Sequence, residues 1–92
     1  MNIFSITASA IAYQEFNNGL AKEKLKKFCL NRNNDLALMA INYLLYVKNK
    51  QPFIETIQSV RQMKESDYDV KAACLDFWGD LDIIPNKVDT EK

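Results

Sequence analysis

The longest apolar run in the chain, LALMAINYLLYV from Leu36 to Val47, contains one polar residue, Asn42. Drawn as a helix it has no face for water, and such a helix is normally enclosed on every side. Around it, apolar positions recur at helical spacing. Ile3, Ile6, Ala10 and Tyr13, with Phe4, Ala8 and Ile11, predict a first helix that Asn17-Asn18-Gly19 stops. Ala21, Leu25, Phe28 and Cys29 stripe a second helix from Leu20 to about Leu30, with Lys22 and Lys26 opposite. The third, capped by Asn34 or Asp35, runs to about Asn49. Pro52 opens a fourth, with Phe53, Ile54, Ile57, Val60 and Met63 inward. Ser66 or Asp67 caps a fifth, whose inner face is Val70, Ala73, Cys74, Phe77 and Trp78 and whose stop is Gly79. Leu81, Ile83 and Ile84 add a turn before Pro85.

Connections of about two to five residues make consecutive helices antiparallel neighbours. The pattern therefore predicts an all-α fold, a five-helix antiparallel helical-hairpin array. Residues 1–85 form a single α-helical domain and residues 86–92 a frayed C-terminal tail. The composition, 48% hydrophobic with two Gly and two Pro, fits a folded, helix-rich chain. At 92 residues there is material for one core, near the size where burial is marginal.

The net charge is zero, but the charges divide along the chain: nine basic against four acidic residues up to Lys64, then three against eight from Glu65 onward. This asymmetry is either solvated surface or a charged partner-facing surface. The basic run from Lys22 to Lys27 is interrupted by Glu23 and has no alternating aromatic platform, so no nucleic-acid partner is expected. The opening apolar segment is broken by Ser5 and Thr7 and is far short of the roughly 20 residues that span a bilayer. No membrane association is expected, and the chain reads as cytoplasmic.

Catalytic chemistry finds little to use. Without histidine there is no triad and no imidazole base. Two glycines cannot build a phosphate-cradling loop, and the acids from Asp67 to Asp82 lack the Gly and Glu of a calcium loop. Cys29 and Cys74, each among apolar residues, read as buried thiols, with no CxxC pair for zinc. No enzyme, no catalytic residue, no metal and no cofactor is expected.

The apolar run is thus the informative feature. On a helical wheel Met39, Ala40, Tyr43, Tyr46 and Val47 lie with Leu36, while Leu38, Ile41 and Leu45 lie opposite. The second and fourth helices can cover the first sector. The other sector is either covered by the first or fifth helix, making the third an ordinary central helix, or it lines a groove for an amphipathic helix of another protein.

The third and fourth helices together, ALMAINYLLYVKNKQPFIETIQSV, resemble one tetratricopeptide-type (TPR) repeat. Phe53 stands at the aromatic position opening the second helix, Thr56 replaces the usual small alanine and Ile57 fills the aliphatic position after it. Leu44 stands where that family carries a small residue, and Gln51 where it carries the hairpin glycine. Small proteins of this kind are similar to the TPR-like needle-subunit co-chaperones of bacterial type III secretion systems, the YscG and EscG type. The resemblance implies a cytoplasmic, virulence-associated chaperone in a hetero-oligomer. With a small helical co-chaperone it would hold the amphipathic C-terminal helix of the needle subunit and so prevent premature polymerisation. It further implies that the first helix of each hairpin supplies the partner-binding surface: Ile6, Tyr13 and Phe16, with Leu38, Ile41 and Leu45.

Two other classes fit the same residues. A small phage- or plasmid-encoded inhibitor of a host protein would use the acidic C-terminal third, from Asp67 to Asp82. A self-associating helical domain would pack the third helix on its copy across a two-fold axis.

Overall fold

Asn17 turns the chain first. It holds a φ of 52°, in the left-handed region that asparagine tolerates better than most residues, and its N–H donates to the Tyr13 carbonyl at 2.8 Å. The Asn18 side chain then accepts from the Ala21 N–H at 2.8 Å and caps the next helix. In the computed structural model, which describes residues 3–82, the helices are α1 (Ile3–Phe16), α2 (Gly19–Cys29), α3 (Asn34–Leu44), α4 (Ile54–Met63) and α5 (Tyr68–Asp82), with a 3-10 turn at Gln51–Phe53. The fold is an all-α, five-helix array. The predicted turn at Ile83, Ile84 and Pro85 and the tail at 86–92 lie outside the described residues.

Long-range hydrogen bonds give the helix directions. Thr7 of α1 bonds Tyr43 of α3, and further along both, Gln14 accepts from the Lys48 N–H. Asn34, at the start of α3, bonds Asp67 before α5, and Lys50 beyond α3 pairs with Asp80 near the end of α5. Helices α1, α3 and α5 therefore run the same way. Lys64, just past α4, reaches back to Asn34, so α4 runs opposite to α3. Helix α3 packs against α5, α2 and α1, and α4 against α5 and α2, within a slab 16 Å thick.

Four predicted features differ. The stack expected from consecutive hairpins is loosest at α3 and α4, since α3 approaches α5, α2 and α1 more closely than it approaches α4. Helix α3 stops at Leu44, five residues before the expected Asn49. Its end tightens through i→i+3 bonds from the Tyr46 and Val47 N–H groups. The following loop is then tied to α1: the Tyr13 hydroxyl donates to the Asn49 carbonyl at 3.0 Å, and Val47 is buried. Gly79, expected as a stop, lies inside α5, where its φ is not positive and the helix continues. The α3 cap is Asn33, which accepts from the N–H groups of Asp35 and Leu36.

The core is one cluster centred on Ile6, Leu25, Ile41, Leu44, Phe53 and Phe77, all fully buried. A polar knot ties three helix ends together. The buried Lys64 ammonium donates to Asn34 Oδ1 at 2.6 Å, and Asn34 Nδ2 donates to Asp67 Oδ2 at 2.8 Å. Asp67 Oδ1 accepts from the Val70 N–H, capping α5 as the sequence predicts.

Cys29 and Cys74 are free thiols, both fully buried. Burial pushes both thiols up, and the nearby Cys74 raises Cys29 further. Two outcomes are expected. A disulfide reagent modifies neither thiol until denaturant unfolds the chain. Because unfolded thiols ionise near about pH 8.5 while the folded ones stay protonated, their contribution is complete below that pH and declines as pH rises above it. The urea midpoint at pH 9.5 therefore falls below that at pH 7, and a Cys29→Ala/Cys74→Ala variant shows a smaller fall.

Candidate partner-docking face

The helix left without a cover is α1. Apolar residues lie on all its sides, with Ser5, Thr7, Ser9 and Gln14 dispersed among them and Glu15 its only charged residue. Ile6, Ala10 and Tyr13 point into the core, while Thr7 and Gln14 turn toward α3. That leaves Phe4, Ala8, Ile11 and Glu15 facing outward on one stripe, with Phe4 83% and Ile11 54% exposed.

Helix α3 continues the same face. The Thr7 and Tyr43 hydroxyls, 2.7 Å apart, join the facing edges of the two helices. Outward on α3 stand Asp35 and Asn42, followed by Tyr46, which is 82% exposed. Leu38 and Met39 flank them, half-buried. Together with Tyr43 these residues line a shallow, mainly apolar cavity of about 240 Å³.

Helix α5 forms the third rail. Asp69, Asp76 and Asp80 follow at i, i+7 and i+11, which places them on one stripe. The ion pair from Lys50 to Asp80, at 3.9 Å, identifies that stripe as the edge toward α3. Neither α1 nor α3 contains Lys or Arg. The face is therefore mainly apolar over α1 and α3, with Glu15, Asp35 and Asn42 as its polar positions, and acidic along its α5 border.

The six residues expected to bind a partner divide under this packing. Ile6, Tyr13 and Ile41 are core residues and present no surface. Leu38 lines the α3 cavity, and Leu45 is half-buried against the core. Phe16 is 77% exposed but flanks the α1–α2 turn with Leu20, about a quarter-turn or more from the Phe4–Ile11 stripe. The six do not come together as one groove. The wheel sectors of α3 shift accordingly: Ile41 joins Ala40 in the core, and Tyr46 leaves it. The sequence did show a second helical stripe on α1, Phe4–Ala8–Ile11, and this is the stripe that faces out.

A larger cleft of about 920 Å³ opens between α4 and α5, floored by Leu75 and Trp78 and rimmed by Gln58, Gln62, Arg61 and Lys71. Its rim mixes both charges with neutral amides, since Glu65 also lines it. Among the described residues, no cluster of three or more His, Cys, Asp or Glu could hold a metal, and no helix is long and apolar enough to cross a membrane. In comparisons with family models, curated proteins and solved structures, nothing matches this chain.

Proposed function

We propose that the protein is a non-enzymatic helix-binding chaperone that captures an amphipathic helix of a self-associating client on the α1–α3 face. The observation that carries this reading is the outer side of α1: a helical stripe with Phe4 and Ile11 open to water and Glu15 at its C-terminal end, continuous with the apolar cavity on α3. A contiguous exposed patch of that kind usually marks an interaction site. An incoming helix would set its i, i+3 and i+4 anchors between two parallel helices, a common mode of helix recognition.

On the resemblance to needle co-chaperones, the client is a type III secretion needle subunit, held in the bacterial cytoplasm with a small helical co-chaperone. The parallel order of α1, α3 and α5, alternate helices of the chain, supports that reading. The mechanism is capture without chemistry: apolar burial on this face hides the surface through which the client would polymerise.

Ile11→Asp tests it. The side chain is more than half exposed, so the variant is expected to keep the wild-type helical circular dichroism spectrum and melt within a few degrees of it. Affinity for the client helix is expected to fall at least about tenfold, as for loss of an interface anchor. Co-expression with a needle subunit is expected to yield a soluble stoichiometric complex with wild type and filaments with Ile11→Asp. Filaments in the presence of excess wild-type protein would reject the client. Undiminished binding by Ile11→Asp would reject the face.

A further inference from the structure

We infer that the helix taken by this face is basic along one flank, and that the acidic edge of α5 selects it. The inference rests on the helix-binding reading and adds the chemistry of the partner.

Over α1 and α3 the face offers Phe4, Ile11, Met39 and Tyr46, with no cation on either helix. The lysines nearest in sequence to α1 are on α2, where Lys26 pairs with Glu23 and Lys24 lines the α1–α2 cavity on the side of α1 away from α3. A partner lying along α3 would therefore meet carboxylates and no cations from the helices beneath it. Asp35 stands in the cavity wall, and Asp69 and Asp76 stand exposed on the α5 edge beside it. The third acid of that edge, Asp80, already has Lys50 as a partner. No ion pair occupies Asp35, Asp69 or Asp76 among the described residues.

A helix docked here has two requirements. Its apolar stripe must cover the α1–α3 surface, and the side toward α5 must not bring acids against Asp69 and Asp76. Lysine or arginine at those positions meets both. Such rim charges steer association and exclude wrong partners more than they add affinity. The seven-residue spacing of Asp69 and Asp76 corresponds to two helical turns, about 10 Å, so cations two turns apart on an aligned partner meet both acids. A second copy of this chain fits less well: its own α1 brings Glu15 and no cation.

The test uses the full 92-residue chain and three synthetic helices of about 18 residues with one Leu/Ala stripe, differing only in Lys, Gln or Glu along the flank. Fluorescence anisotropy at low salt is expected to rank them Lys, Gln, Glu, with about tenfold or more between the first and last. The gap is expected to shrink in the Asp69→Asn/Asp76→Asn protein and at high ionic strength, as screened rim charges require. Equal affinity for the Lys and Glu helices would overturn the charge selection while leaving helix binding in place. Failure of all three to bind would overturn the helix-binding reading as well. Concentration-dependent dimers in light scattering that no peptide disperses, or co-sedimentation with phosphatidylcholine vesicles in preference to peptide, would give the face to another occupant and overturn the inference.

Discussion

Replacing Phe53 by alanine is expected to cost about 3–5 kcal/mol, the range for truncating a buried aromatic ring. The ring is fully buried, and its position explains why little can fill the void. It sits where the chain leaves the α3 loop and enters α4, edge-on to Tyr13 with centroids 5.2 Å apart and planes at 88°. Tyr13 in turn donates to the Asn49 carbonyl, so one contact joins α1, the loop and α4. A domain of this size has a total stability of only about 5–14 kcal/mol. Urea denaturation should therefore show a large loss of midpoint, and the melting temperature should drop by well over about 10 °C. Tyr13→Phe keeps the ring contact and removes one hydrogen bond, so its loss should stay near about 1 kcal/mol. If Phe53→Ala melted like wild type, the joint would not be core.

Much of the fold was legible because its punctuation is local. Asn17, Asn18, Pro52 and Asp67 act through their own backbone geometry or side-chain reach, and the boundaries there fall where the sequence placed them. The early end of α3 is different. Nothing between Leu44 and Asn49 forbids a helix; the chain leaves it because Tyr13 and Gln14, more than thirty residues away, take the backbone groups of Asn49 and Lys48. The Lys64–Asn34–Asp67 knot escaped for the same reason, since its three members acquire meaning only when three helix ends meet. Gly79 misled because glycine marks a stop only where the chain needs a left-handed residue.

The exposed apolar face was half legible. The excess of apolar positions raised the question of cover at α3, where the wheel left open a central helix covered by the first or fifth helix or a groove. In the structure α3 is the best covered element, with α5, α2 and α1 around it, and α1 bears the shortage. Two stripes on α1, one through Ile6 and Tyr13 and one through Phe4 and Ile11, are nearly equal in hydrophobicity. Periodicity reports phase only when one side of a helix is polar. Which stripe faces in was settled by packing: Thr7 and Gln14 bond α3 and its loop, and this rotates Ile6 and Tyr13 inward.

The difference between a core helix and a groove can be measured at two neighbouring residues of α3. Ile41→Asp removes a fully buried side chain, worth about 2–5 kcal/mol, and places a carboxylate among Leu44, Phe77 and their neighbours. The combined cost is expected to exceed the stability of the chain, giving at pH 7 a largely unfolded circular dichroism spectrum and no cooperative melt. Leu38→Asp lies one turn away on the cavity wall, half-buried, where the carboxylate reaches water. Its expected cost is about 1–2 kcal/mol, with the fold kept and helix binding lost. A folded Ile41→Asp protein that has lost its client would return the groove to the Ile41 side of α3. An unfolded Ile41→Asp beside a folded, non-binding Leu38→Asp places the boundary between core and docking face within that single turn.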